Sequence, residues 1–197
     1  MPLAPWRSPL ARALHRNRSR ADARYVQLAT MRPDGRPANR TIVFRDYLPD
    51  TNQLQFAVDR RSLKIEQIAH QPWGELCWYF SDTREQFRLL GQLTLVQEGQ
   101  DDPLLDKARQ VLWQKLSDAG RVQFSWPEPR EPRAENEAFH PPAPDPNMPL
   151  PQFCLLLLDP VEVDHLELRG DPQNRWWYGR SQDDPTQEIW SVQAINP

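Results

Sequence analysis

The sequence has 197 residues, 39% hydrophobic and 26% charged, which predicts a single domain with a buried core over residues 1–197. Its formal net charge of −3 disfavours a general role in binding nucleic acid or an anionic membrane surface, because such surfaces carry an excess of Lys and Arg. No apolar run approaches the roughly 18 to 20 residues that span a bilayer, so we predict no membrane partner.

Cysteine and histidine positions point away from export and from a metal site. Cys77 and Cys154 both lie in apolar runs, which predicts buried free thiols in a reducing cytoplasm. The histidines show no zinc-type spacing. The Arg-rich, acid-free N-terminal region leaves an organelle transit peptide open as an alternative. Ser8-Pro9 favours instead the start of an ordinary helix, capped by Ser8.

Spacing along the chain predicts many short strands and a few helices. Helical spacing predicts helices over residues 8–18 and from 103 to about 125, and a short one after Ser62 that carries Ile65 and Ile68. Alternating or apolar runs predict strands over residues 25–31, 37–47, 54–58, 75–80, 86–97, 153–158, 161–168, 175–180 and 188–194. Strands of this number, without βαβ alternation or Gly-rich phosphate loops, indicate a mainly β fold, a closed or partly closed barrel with peripheral helices.

A proline-rich stretch over residues 126–151 separates the long helix from the last strands. Prolines at this density cannot continue a regular helix or a central strand. The stretch is either a flexible surface excursion or a segment that lies near a ligand or wraps a second subunit. A lone hairpin after it could not be stable by itself, so we do not place a domain boundary here.

With only 7 glycines, the chain lacks the usual backbone cradle for a phosphate, so such a site needs side-chain cations. Arg40 and Arg45 stand five residues apart in Arg40-Thr41-Ile42-Val43-Phe44-Arg45, which places them on opposite faces of one strand. A second run follows over residues 54–64, with Ser62 and Lys64 at its end, and Gln71-Pro72 closes the next helix.

These runs, in this spacing, resemble the pyridoxamine 5′-phosphate oxidase superfamily, in particular its divergent cyanobacterial and plant oxidase-like branch. The resemblance implies a split β-barrel with about six core strands, which binds flavin mononucleotide (FMN) and works as a homodimer. It assigns the FMN phosphate to Arg40 and Lys64, with Ser62 as a helix-opening hydroxyl, and the flavin ring to Gln86 and Arg175. The full set of cofactor-binding residues it predicts is Arg40, Thr41, Ile42, Val43, Arg45, Ala57, Val58, Ser62, Lys64, Gln86 and Arg175.

The substrate site is less complete than the cofactor site. By the same resemblance Arg45 reaches an anionic substrate, and the spacing of Trp113, Ser117 and Arg121 would put these three on one helix face, where they could grip a substrate phosphate. The family's substrate-gripping Arg and His are missing from Asp171-Pro172-Gln173-Asn174. Leu166 stands in place of its tryptophan, and Leu63 in place of the second basic residue of its phosphate triplet.

The resemblance implies an FMN-dependent oxidoreductase in which a small, phosphorylated substrate, such as a B6 phosphate, gives a hydride to FMN and oxygen reoxidises the cofactor. Such a reaction needs no protein nucleophile, and the sequence contains no convincing Ser-His-Asp or Cys-His set. Two alternatives stay open. One is an FMN-dependent reductase of another substrate, and the other is a flavin-binding protein without turnover.

Overall fold

The computed structural model describes residues 3–181 and 189–197, and its centre is an antiparallel barrel. Strands β1 to β6 close the barrel in the order β3-β2-β1-β4-β5-β6, because β3 pairs with both β2 and β6, and β7 and β8 extend the sheet beyond β6. The strands are β1 Tyr25–Met31, β2 Pro37–Tyr47, β3 Leu54–Asp59, β4 Trp73–Phe80, β5 Glu85–Val96, β6 Phe153–Glu167, β7 Asn174–Arg180 and β8 Trp190–Ile195. The predicted mainly β barrel with six core strands is confirmed.

Inward-facing side chains of the six strands fill the barrel. Val26, Leu28, Phe44, Trp78 and Phe87 are among the residues of one buried cluster, as the period-2 alternation predicts. A second, smaller cluster lies under the helices on the outside of β6, around Leu112, Trp113, Phe124 and Phe153. The outer faces of the strands are therefore the surfaces left for binding.

The fold differs from the prediction at β6. A break at Asp159-Pro160 predicts two strands, but the chain continues as one strand through both residues. Pro160 lies at a register shift, opposite Gly91, where an irregular ladder tolerates the missing N–H. Gly91 is needed at this point, because a Cβ on it would lie 2.2 Å from the carbonyl oxygen of Asp159.

The helices also correct three predictions. Helix α1 spans Arg7–Arg16 and has Trp6 as its N-cap, so Ser8 lies inside the helix and does not cap it. Helix α2 spans Lys64–His70, with Leu63 as N-cap and no side-chain cap, so Ser62 is not a cap either. The predicted long helix after Pro103 is two helices, α3 Pro103–Lys115 and α4 Asp118–Val122, since Leu116 is extended and Ser117 caps a new start.

The proline-rich segment follows a 3-10 turn over Gln123–Ser125 and contains another over Asn136–Phe139. It is otherwise irregular, as predicted. Residue 188 of the last predicted strand lies outside the described residues, and the described strand begins at Trp190. Among the described residues, no helix combines the length and the apolar character needed to cross a bilayer.

Candidate functional site

Two adjoining cavities lie beside β2. The larger, about 590 Å³, is bounded by the outer faces of β2 and β3 on one side and by residues 126–134 on the other. We call residues 126–134 the strap. The smaller cavity, about 430 Å³, lies between β2 and the start of α2. Lys64, Pro129 and Arg130 line both cavities, so the two meet at Lys64, under the strap.

Arg40 projects into the smaller cavity from the end of β2 and is held there by neutral groups. Its Nη1 donates to the carbonyl oxygen of Leu28 at 3.0 Å and to Oγ1 of Thr30 at 2.6 Å, and its Nη2 donates to Oε1 of Gln67 at 2.7 Å. Gln67 also accepts from the Thr30 hydroxyl at 2.6 Å. A guanidinium has five N–H donors, so Nε and one hydrogen of Nη2 stay available for a ligand.

Lys64 begins helix α2 and faces the same cavity. Gln67 lies three residues further on the same helix, so the hydrogen bond from Arg40 to Gln67 fixes α2 against β2 and places Lys64 beside Arg40. Nζ of Lys64 donates to Oγ of Ser62 at 2.6 Å. Two ammonium hydrogens are left without a partner among the described residues. Strand, turn and helix thus bring Arg40, Ser62 and Lys64 together, as predicted.

The electrostatics of this cavity favour an anion. Arg32, Arg40, Lys64 and Arg130 all line it, and none of its lining residues is Asp or Glu. Burial, and next the charge of Arg40, lower the pKa of Lys64 below its ordinary value, and burial followed by Arg32 does the same to the pKa of Arg40. A dianion that enters the cavity would offset both the burial of these cations and their mutual repulsion with neighbouring cations, so the donor set fits a phosphate group.

The larger cavity contains most of the other predicted cofactor residues. Thr41, Val43 and Arg45 alternate with the buried Ile42 and Phe44, so their side chains point out of the barrel towards the strap. The predicted residues that line this cavity are Thr41, Ile42, Val43, Arg45, Ala57, Val58 and Lys64. The Arg45 side chain has no ion pair in the described part of the chain and is a free cation on this wall. The predicted opposite placement of Arg40 and Arg45 is confirmed.

Arg61 connects the strap to the barrel. Its guanidinium grips the carboxylate of Asp59 at 2.6 Å, donates to the carbonyl oxygen of Trp126 at 2.8 Å, and lies 3.7 Å from the carboxylate of Glu128. The indole of Trp126 in turn donates to the carbonyl oxygen of Phe139 at 3.0 Å. Residues 126–134 of the proline-rich stretch therefore form one wall of the larger cavity, and whether that wall meets a ligand stays a prediction.

Gln86 and Arg175 lie elsewhere. Gln86, Leu166 and Arg175 are register partners across β5, β6 and β7, so they form one row on the outer face of these strands. In the closed barrel β5 is opposite β2, so this row is remote from both cavities of the same chain. Arg175 is engaged by Asp164 at 2.6 Å, and Asp164 also accepts from Arg88 at 3.2 Å.

The predicted helix face of Trp113, Ser117 and Arg121 is wrong, because α3 ends at Lys115. Trp113 is fully buried, packs against Phe124 and Phe153, and donates its indole N–H to the carbonyl oxygen of Asp145 at 2.9 Å. Ser117 caps α4 and Arg121 is buried against the carbonyl oxygen of Leu116 and the carboxylate of Asp118. None of the three lines either cavity.

Sequence reasoning missed four residues that shape the site: Thr30, Arg61, Gln67 and Arg130. Gln67 could have been found, since it stands three residues after Lys64 on a predicted helix. Arg61 and Arg130 gave no such signal, because their roles depend on contacts with distant segments. The sequence also did not indicate that Glu85, His165 and Glu167 converge at one end of the barrel, with possible ligand atoms within 4.8 Å of one another.

A family model described as "Pyridoxamine 5'-phosphate oxidase, FMN-binding domain" matches residues 3–97. This range contains β1 to β5, α2 and the three residues of the anion cavity that the sequence predicted. A curated relative, pyridoxine/pyridoxamine 5′-phosphate oxidase 2 of Arabidopsis thaliana, is 35% identical over 196 residues, which cover 99% of this chain and 98% of the relative.

Solved structures give the same picture. A pyridoxamine 5′-phosphate oxidase-related, FMN binding protein from Nostoc punctiforme is 61% identical, with a TM-score of 0.96 and full coverage of both chains. PhzG from Burkholderia lata, in complex with tetrahydrophenazine-1-carboxylic acid, is 21% identical with a TM-score of 0.76, covering 100% of this chain and 94% of that one. At that identity the second likeness shows the fold alone.

Proposed function

Because the chain belongs to the pyridoxamine 5′-phosphate oxidase family of FMN-binding split-barrel proteins, we propose that it is an FMN-dependent oxidoreductase of a small anionic substrate. The observation that carries the proposal is the cavity beside β2, in which Arg40 and Lys64 have open donors and no acidic neighbour among the lining residues. A dianionic phosphate supplies the charge that this cavity lacks.

The protein's part in the reaction is to bind, orient and shield. Arg40, Lys64 and Ser62 hold the FMN phosphate, and the outer faces of β2 and β3, from Thr41 to Val43 and at Ala57 and Val58, support the rest of the cofactor. When bound, FMN would supply the redox chemistry, hydride acceptance with reoxidation by oxygen. The strap covers this face and limits the access of water.

Arg45 binds the anionic end of the substrate. It lies on the wall of the larger cavity, its guanidinium has no ion pair among the described residues, and a planar fork of donors suits a phosphate or a carboxylate. Phosphorylated B6 vitamers belong to this class. We expect a charged substrate end at Arg45 and an uncharged ring between the strap and β2.

A homodimer in the cytoplasm is part of the same proposal. Gln86 and Arg175, which the resemblance assigns to the flavin, lie on the far side of the barrel from Arg40 and Lys64. One chain therefore cannot offer all four to one ligand. A second copy, with its β5–β7 face against the first copy's β2 face, would bring them together. The free cysteines are consistent with a reducing compartment.

A second candidate is an FMN-dependent oxidoreductase that acts on a substrate other than a B6 phosphate. It is favoured by the burial of Trp113 and Arg121, which leaves the predicted phosphate grip on α3 and α4 outside the cavity. Only Arg45 then remains of the predicted substrate ligands. A flavin-binding protein without turnover has no structural observation in its favour.

An absorbance spectrum of the purified protein tests the proposal. We expect flavin absorbance in the wild type and a loss of FMN affinity of about 10- to 100-fold in Arg40→Ala and in Lys64→Ala, since each removes charge-assisted hydrogen bonds worth about 1.5 to 3 kcal/mol. Arg36→Ala is the matched control, because Arg36 is exposed and paired with Asp34. Full flavin retention in both site variants would contradict the assignment.

The same preparation separates the two candidates. Hydrogen peroxide formed with pyridoxamine 5′-phosphate supports the B6 oxidase, and loss of that signal in Arg45→Ala supports the substrate role of Arg45. A bound flavin that is not reduced by B6 vitamers, but is reoxidised by oxygen after chemical reduction, supports the second candidate. Light scattering of the FMN-loaded protein measures its oligomeric state, and a monomer that holds FMN at full affinity argues against the shared site.

A further inference from the structure

The strap contributes its own cation to the anion cavity. Along residues 126–134 only Pro129 and Arg130 line both cavities, at the point where these meet beside Lys64. Arg130 makes no hydrogen bond or ion pair with another described residue. Two other arginines that line the larger cavity differ, since Arg133 donates to Asn136 at 2.9 Å and Arg61 donates to Asp59.

The position of Arg130 is set by its surroundings and not by its own contacts. The carbonyl oxygen of Trp126 is held by Arg61 at 2.8 Å, and the indole of Trp126 is tied to Phe139 at 3.0 Å, so the chain enters the strap at a fixed point. Prolines at 127, 129 and 132 restrict the backbone on either side. An arginine in such a frame presents its charge to the cavity at a low cost in backbone entropy.

The backbone of Arg130 has a φ of 76°, in the left-handed region that favours glycine. A residue with a Cβ is strained there, and such strain clusters at active sites and ligand clamps. Glycine would fit this backbone better, so the presence of an arginine side chain at position 130 calls for an explanation. The cavity that Arg130 lines together with Arg40 and Lys64 supplies one.

We propose that Arg130 is a further ligand of the phosphate monoester bound by Arg40 and Lys64, so that the strap joins the cofactor site when the phosphate is present. This inference rests on the proposed function, because the phosphate it concerns is that of FMN. It assigns the strap a binding role, in which Arg61 is the positioning residue and Arg130 the contact. In this proposal the contact from Arg130 of the strap is to the phosphate of the cofactor and not to its flavin ring.

Fluorescence titration of the FMN-free, full-length protein with FMN and with riboflavin tests the role of Arg130. We expect Arg130→Gln to weaken FMN binding about tenfold and to leave riboflavin binding unchanged, since only FMN carries the phosphate. Arg130→Lys should retain most of the FMN affinity. Arg36→Gln is the control, because Arg36 is exposed, pairs with Asp34 and lines neither cavity.

A second-site variant provides a rescue. Leu63 lines the same cavity and is 45% exposed, so an arginine placed there would deliver a cation to the same phosphate. We expect Arg130→Gln combined with Leu63→Arg to recover FMN affinity. Recovery would not follow if Arg130 were needed only to keep the strap folded, and in that case riboflavin binding would fall as well.

Three outcomes overturn the inference. Arg130→Gln could bind FMN as tightly as the wild type, or could lose FMN and riboflavin to the same extent. Alternatively, the FMN-loaded variant could lose affinity for pyridoxamine 5′-phosphate alone, which would assign Arg130 to a substrate phosphate. Wild-type protein that binds neither FMN nor riboflavin would instead refute the proposed function, and the two failures are therefore distinguishable.

Discussion

Two faces of the barrel carry arginines that meet different partners. On the outer face of β5 to β7, Asp164 accepts hydrogen bonds from both Arg175 and Arg88, so two cations are bound to one carboxylate. Beside β2, Arg40 and Lys64 meet only a carbonyl oxygen, hydroxyls and an amide. Arg88 also lies 3.6 Å from the carboxylate of Glu75, so the first face is close to electrical neutrality within one chain, whereas the second needs an anion from outside. Both faces carry basic side chains. What distinguishes the structural face from the candidate binding face is whether the chain itself supplies the carboxylates that neutralise them.

The largest difference that we expect between the two faces is in the free energy of unfolding of the FMN-free protein. Asp164→Asn and Lys64→Met each remove one charge, but we expect opposite results. Asp164 is 5% exposed, and its loss leaves Arg175 without its carboxylate and Arg88 with Glu75 alone, which should lower the free energy of unfolding by about 1 to 3 kcal/mol. Lys64→Met removes a desolvated charge and should leave stability unchanged or raise it slightly. Urea unfolding of the FMN-free variants measures both.

The pH dependence of the stability lost in Asp164→Asn tests whether that loss comes from the charge of Asp164. Burial raises the pKa of Asp164, but hydrogen bonds from Arg175 and Arg88 outweigh burial and hold it below 3.8. A carboxyl with a lowered folded pKa stabilises the fold above its unfolded pKa and loses that contribution as pH falls through the folded value. The stability difference between wild type and Asp164→Asn should therefore shrink in acid. A difference that persists at the lowest pH would assign it to packing.

A smaller effect is expected in the pH dependence of FMN binding. Burial and Arg40 lower the pKa of Lys64, so in the FMN-free protein its positive charge is lost at a pH below the ordinary value of 10.5. Bound phosphate favours the protonated form, so binding takes up a proton and affinity should fall as pH rises from neutral through the lowered pKa. Fluorescence titration across this range measures it. Lys64→Arg, which stays charged, should give a flatter profile over the same range.

The smallest effect is expected at Arg175. Its guanidinium is already paired with Asp164, so Arg175→Ala should weaken FMN binding only about two- to fivefold, and only in a dimer that brings β7 to the β2 face of the partner. Binding assays at protein concentrations above and below the dimer dissociation constant separate the two states. If Arg175→Ala weakened FMN as strongly as Lys64→Ala, the contrast between the two faces would be broken.

Local patterns were sufficient for the strands and for the cations of the site. Alternation of polar and apolar residues depends on neighbours two positions apart, and it correctly predicted β1 and β2 and the placement of Arg40 and Arg45 on opposite faces. The family resemblance, and not spacing alone, predicted that Ser62 and Lys64 meet Arg40. The errors fall where a competing contact outside the window decides, as at Pro160, where Gly91 allows the strand to continue, and at Leu116, where the chain leaves the helix and Ser117 caps a new one.

The sequence by itself determined the element types and the residues that form the barrel core, and its resemblance to a known family paired Arg40 on β2 with Lys64 at the start of α2. Only the tertiary structure decided which cations are neutralised, since Asp164 and Arg175 meet through the register of β6 and β7, and which face the strap covers, since Arg61 meets Trp126 across 65 residues. The physical reason is range. Alternation and helix spacing act between near neighbours, whereas the partner of a charge depends on how distant segments pack.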